Sequence, residues 1–299
     1  MTFLPEGRIG CRPDSKAELL RAMEEKRICE GTAVLCDRER NIVVDLGSMR
    51  GVIPRSEGAW SPDGEVKDIA VISRVGKEVC FTVKGFADEV GGGEYALLSR
   101  REAMRVCAEE YVSRLRPGDV IPARVTRPDS FGAFVDVGCG IVGLMPIDAI
   151  SVSRIAHPAE RFAAGQDVRA VVSAVSGGRV TLSHRELLGT WEENAARFEA
   201  GQTVAGVVRS VEKYGVFVEL TPNLAGLAEP GGELAAGDRV SVYIKSVIPE
   251  KMKVKLVIID RLPHAEPPRR YDYPDVAHIS RWRYSPAVCP KIIESVFDR

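Results

Sequence analysis

The side chains in this sequence that could do chemistry are rings and cations; its nucleophiles and metal-ligand types lie scattered. Phe131 and Phe134 flank Gly132-Ala133, and Tyr214 and Phe217 flank Gly215-Val216, so each ring pair spans three positions. Rings so spaced can fill a core, or they can stand on a surface and stack on the flat face of an unpaired base, a contact of about 1–3 kcal/mol per base. Cations lie near them in the chain: Lys213 precedes Tyr214, while Arg179 and Lys253 each precede a short apolar run. There is no glycine-rich phosphate loop and no nucleophile elbow. The four histidines (His157, His184, His264, His278) do not group, and the seven cysteines include no Cys-x-x-Cys pair. Neither structural zinc nor a disulfide framework is therefore expected. Remaining carboxylates fall in turns and helices. No catalytic residue, metal or cofactor is expected, and the protein reads as a binder, not an enzyme.

The elements that must position these residues are repeated. Ser130-Phe-Gly-Ala-Phe-Val-Asp-Val137 reappears as Lys213-Tyr-Gly-Val-Phe-Val-Glu-Leu220, an offset of 83 residues. Gly118 and Gly201, and Gly143-Leu144 and Gly226-Leu227, keep the same 83-residue offset. Three anchors at one offset establish an internal repeat. In the middle copy, alternating apolar positions and glycine turns predict strands at 120–127, 132–138, 141–146, 167–175 and 179–184. Five short strands in about 70 residues, with one longer connection after the third, describe a small closed barrel. A fainter copy lies upstream, through Gly31-Thr-Ala-Val34, Asn41-Ile-Val-Val-Asp-Leu46, Gly51-Val-Ile-Pro54 and Glu78-Val-Cys-Phe-Thr-Val83. The expected organisation is a helical segment over 1–26, opened by the capping pattern Ser15-Lys-Ala-Glu18, and then barrels over 27–100, 117–186 and 200–262. Helical linkers are expected over 101–116 and 187–199, and a tail over 263–299. The fold class is mainly β.

Bulk properties restrict function further. The net charge of −1 excludes a polycation that holds duplex by phosphate neutralisation alone. The 45% hydrophobic content can fill several small cores. No apolar run approaches the roughly 18 residues a membrane span needs, and the N-terminus lacks a secretory pattern, so a cytosolic protein is expected.

The series Gly-Asp-Val120, Ser130-Phe-Gly-Ala-Phe-Val-Asp-Val137, Gly143-Leu-Met-Pro-Ile147, Gly165-Gln-Asp-Val168 and Gly178-Arg-Val-Thr-Leu-Ser183 resembles the RNA-binding domain of ribosomal protein S1. The resemblance covers nearly all of 117–186, most of 200–260 and, more loosely, 27–100. It implies OB-type barrels that hold single-stranded RNA or mRNA across the second and third strands, with Phe131 and Phe134 as the stacking pair and Arg179 as the basic residue opening strand five. Tyr214 and Phe217 replace the pair in the third copy, next to Lys213, and Lys253 takes the place of Arg179. His157 lies where relatives carry His-Pro, and RNA contact and loop packing are both open for it. The resemblance also implies a partner in the small ribosomal subunit; the other reading is an accessory RNA-binding protein in transcription, RNA decay or stress.

The copies depart from the pattern unequally. Pro146 stands where the family often has histidine. From strand-one glycine to strand-four glycine is 47 residues in the middle copy, Gly118 to Gly165, but 36 in the third, Gly201 to Gly237. The first copy has Arg40-Asn-Ile-Val43 in place of ring-glycine-ring, and over 27–101 it carries 11 Lys and Arg against 12 Asp and Glu. Stacking is closed to it, and docking on a protein such as the ribosome is expected instead. In the tail, Trp282 and Tyr284 alternate with Arg281 and Arg283, and packing on the third barrel is favoured over RNA. Ile292, Ile293, Val296 and Phe297 read there as a short amphipathic helix.

Overall fold

The computed structural model describes residues 3–88, 92–231, 233–263 and 270–297. Helix α1 (Lys16–Glu24) is capped by the Ser15 hydroxyl, which accepts from the Glu18 amide. The first barrel comprises β1 (Cys29–Cys36), β2 (Ile42–Asp45), β3 (Arg50–Ile53), the one-turn α2 (Ile69–Ile72), β4 (Glu78–Asp88) and β5 (Glu94–Ser99). Helix α3 (Arg100–Glu110) leads to the middle barrel: β6 (Val120–Asp129), β7 (Gly132–Gly138), β8 (Ile141–Pro146), β9 (Asp167–Ser176) and β10 (Arg179–Ser183). After α4 (Trp191–Ala195) come β11 (Thr203–Glu212), β12 (Gly215–Thr221), β13 (Leu224–Ala228), β14 (Arg239–Ile248) and β15 (Lys253–Arg261); a two-stranded ladder, β16 (Arg281–Arg283) with β17 (Glu294–Val296), closes the tail.

Among the described residues the strands form three closed barrels, each ordered one-two-three-five-four, with strands three and five parallel. This is the mainly β, five-stranded architecture expected. Closure demands strong local coiling, and all three barrels share one device for it: the first strand slips register between Ala33 and Leu35, Val125 and Arg127, and Val208 and Ser210. Strand alternation then sends Ala133, Val135 and Val137 inward against Val125, Met145, Val172 and Leu182, all fully buried. Taking Met145 or Leu182 to alanine would cost about 2–5 kcal/mol.

The barrels are not separate beads. Phe3, Ile28, Ala59 and Cys80, from the N-terminal strap and first barrel, belong to the same continuous core as the middle barrel's Val125 to Leu182. A buried ionic knot sits in that junction. Glu6 takes both oxygens to Arg100, at 2.7 and 3.0 Å, and accepts from the Cys80 amide, while its own amide donates to Asp136. Asp136 also accepts from the amides of Gly138 and Gly140. Burial, and then the nearby Glu6, push the Asp136 carboxyl up to about 7. Removing one member of such a knot would strand the others, at about 3–5 kcal/mol. On the other side, Arg161 and Arg209 share the buried Glu219, tying the middle barrel's β8–β9 connection to the third barrel.

The tail runs as a strap over that second junction. Tyr273 Oη lies 2.9 Å from His184 Nε2, Tyr271 donates to the Arg161 carbonyl, and Tyr284 donates to the Asn223 carbonyl. Trp282 and Tyr284 are buried against the third barrel, as the preference for packing requires. The helix expected over Ile292 to Phe297 does not form: Glu294–Val296 is β17, paired to β16 with Trp282 opposite Ser295. A mate strand five residues in length or less leaves no local signature, so periodicity alone misassigned it. Residues 264–269, which include His264 and the beginning of the proline-rich stretch, lie outside the described residues.

Candidate nucleic-acid interface

Register places one outward-facing row across four strands of each barrel. In the middle barrel Arg127 faces Phe134, Phe134 faces Leu144, and Leu144 faces Thr181. Phe131 stands in the β6–β7 turn beside this row, 52% exposed, its ring centroid 5.6 Å from that of Phe134 and nearly perpendicular to it. The Arg127 guanidinium lies over the Phe134 ring, 4.7 Å from its centroid, and also touches Asp129 at 3.4 Å. An exposed ring, Phe131, beside a half-buried one, Phe134, that carries a guanidinium over it makes a surface suited to a stacked base and its phosphate.

Gly132 serves this surface through close approach. A Cβ on it would lie 2.4 Å from the Met145 carbonyl oxygen, so any side chain would push β8 away from β7. Gly215 repeats the device, its notional Cβ 2.5 Å from the Ala228 carbonyl oxygen.

In the third barrel the corresponding row is Ser210, Phe217, Leu227 and Lys255. Tyr214 stands in its turn, 66% exposed and 6.1 Å from Phe217, with the exposed Lys213 beside it. Lys253 opens β15 opposite Ile248, as Arg179 opens β10 opposite Ser176. The first barrel's row is aliphatic throughout: Leu35, Val43, Val52 and Leu97. At its turn, Arg40 binds Asp68, and Asn41 replaces the glycine, its side chain engaged with Asp37 and the Arg55 amide.

Two of the expected contacts are otherwise engaged. Arg179 reaches out of the middle barrel to Asp63 of the first, at 2.9 Å. His157 lies off the row and caps a helical turn: its Nδ1 accepts from the Ala159 amide while Glu160 accepts from the His157 amide. That reciprocal cap gives His157 a loop-packing role, with one ring nitrogen and the backbone amide both occupied. Arg127 was not among the residues expected from sequence. The repeat offset puts Ser210 at its position, so no cation recurs there, and only the strand-one bulge turns Arg127 toward Phe134.

A closed five-stranded barrel of this order, with one ring on its second strand and another in the turn before it, has the architecture of an oligonucleotide-binding fold. Residues 114–185, which span the middle barrel, match the family model for the S1 RNA binding domain. The chain is also similar to small ribosomal subunit protein bS1. It is 29% identical to that of Leuconostoc lactis over 252 residues, 77% of this chain and 56% of the relative. It is 30% identical to that of Staphylococcus aureus strain COL over 243 residues, 75% of this chain and 60% of the relative. This chain thus spans somewhat over half the length of these relatives. A solved multidomain protein with nucleic acid binding domains from Streptococcus pneumoniae aligns over 82% of this chain and 75% of its own, at 14% identity and a TM-score of 0.25.

Proposed function

We propose that the protein binds single-stranded RNA, mRNA included, and does so in association with the small ribosomal subunit during translation. The observation that carries this reading is the middle row, where Phe131 stands open beside a half-buried Phe134 that has Arg127 over its ring. The third barrel supplies a second, weaker site from Tyr214, Phe217, Lys253 and Lys255. Stacking tolerates any base, so little sequence preference is expected. The similarity to bS1 supports the ribosomal setting, and with it the cytosol. The protein acts on RNA by holding it: an end-labelled oligonucleotide incubated with it is expected to stay intact. The first barrel's aliphatic row suits a protein partner better than a base, because it offers apolar area without a ring. The test is sedimentation of a lysate at low and high salt. Travel with 30S particles supports the ribosomal reading, and a protein that stays in the supernatant at both salts while binding RNA points instead to an accessory role in RNA metabolism.

A further inference from the structure

The first barrel lacks a stacking surface, yet part of it reaches the edge of the middle one. The 54–68 stretch, which follows β3, is held firmly. The Gly58 carbonyl accepts from the buried Arg100 guanidinium, and Glu57 accepts from the Ser99 hydroxyl. From there the chain runs to the β9–β10 hairpin, where Pro62 packs so close to Gly178 that a Cβ there would meet it at 2.9 Å. Asp63, the next residue, takes Arg179. Beside this contact lies an open cavity of about 390 Å³, whose lining includes Arg55, Ser56, Trp60, Ser61, Asp68 and Arg101.

That volume suits a single nucleotide, since small-molecule sites run from about 300 to 1,000 Å³. The lining suits it too. Trp60 offers a half-exposed indole, and the two serines offer hydroxyls for sugar or base edges. The one lining carboxylate, Asp68, is already satisfied by Arg40 and Arg55. Arg101, exposed on α3, is in no ion pair among the described residues, its neighbour Glu102 being held by Arg105, so its guanidinium can take a phosphate. Asp63 sits between Pro62 and Gly64, both of which line the cavity, so Arg179 is drawn to its rim. An ion pair whose side chains are 79% and 61% exposed contributes about 0–1 kcal/mol, and an RNA phosphate can displace it.

We propose that this cavity takes one nucleotide of the same single-stranded RNA that lies on the middle row, so that the first barrel completes its neighbour's site. The inference rests on the RNA-binding reading above. It makes the site composite: Phe131 and Phe134 hold the central bases, Arg179 bridges, and Trp60 with Arg101 holds a flanking nucleotide. A short strand fills the middle row alone, whereas a longer one also reaches the cavity.

The test titrates the full chain with oligouridylates of four and twelve nucleotides. Arg101→Glu is expected to weaken the twelve-mer about tenfold and the four-mer less than about twofold, from one lost phosphate contact and an added repulsion. Because Trp60 also touches the core, Trp60→Phe serves as its conservative partner and should act in the same direction but less. Equal weakening of both oligomers by Arg101→Glu overturns the inference, since it would report overall charge, and so does no change in either. Saturable binding of uridine monophosphate that the twelve-mer does not displace also overturns it, because the cavity would then be a free-nucleotide site. Phe131→Ala/Phe134→Ala separates the two levels: if it leaves both oligomers unaffected, the RNA-binding reading itself fails. If it weakens both while Arg101→Glu changes neither, only the composite site fails.

Discussion

The first and middle barrels share strand order and bulge position and meet in a buried junction, and they differ in what the same outward row presents. The middle row carries a guanidinium over a ring; the first carries Leu35, Val43, Val52 and Leu97. The inward set is conservative in character in both, because closure requires small and branched residues there. The outward set is free of that demand, so function is written on it. The turn tracks the row: Gly132 lets β8 approach and accompanies rings, whereas Asn41 builds a side-chain-bonded turn and accompanies none.

The comparison can be broken at several points. The largest effect concerns how the middle barrel is held to its neighbours. Burial brings the His184 imidazole down to about 4. Its folded-state value lies below the unfolded one, so it contributes stability above about pH 6.5 that is lost as pH falls toward 4, up to about 3 kcal/mol. The urea midpoint should fall over that window, and His184→Gln should flatten the profile. Asp136, at the other junction, has the opposite sign: its folded-state value is raised, so its contribution is present below about 4 and lost as pH rises through about 7.

On the rows themselves, Phe131→Ala/Phe134→Ala should cost about 2–3 kcal/mol of RNA affinity, roughly 30- to 150-fold, by fluorescence anisotropy. Phe131 is half exposed, so the loss should come with little change in thermal stability. The same change at Tyr214 and Phe217 should cost about 1–2 kcal/mol, since Lys253 and Lys255 keep their charge there. Lys253→Ala/Lys255→Ala should lower the slope of log affinity against log salt by about 1.4. The smallest effect is at the first barrel: Leu35→Asp should leave RNA affinity within about twofold while reducing co-sedimentation with 30S particles. A large loss of RNA binding from Leu35→Asp would erase the distinction between the two rows.

How much of this was legible beforehand follows from the range of the forces involved. The middle strands were read to within a residue or two because alternation and glycine turns are local. Phe131 with Phe134, and Tyr214 with Phe217, could be read as neighbouring rings because a repeat displays the pair twice. Arg127 was missed because its direction depends on a bulge whose register is set by the partner strand. His157 was read without its cap, since the Glu160 return bond appears only once the loop is folded. The tail's last strand, Glu294–Val296, was read as part of a helix because it is only three residues long.

The sequence by itself therefore determined three barrels, which two of them carry rings, and that the first does not, because alternation, turns and ring spacing are written within a few residues of one another. Tertiary structure alone decided that Arg179 is met by Asp63, that the first and middle barrels share a core around Glu6 and Arg100, and that a cavity opens where they meet. Those contacts join residues about a hundred positions apart, and no local pattern records which surfaces will be buried together.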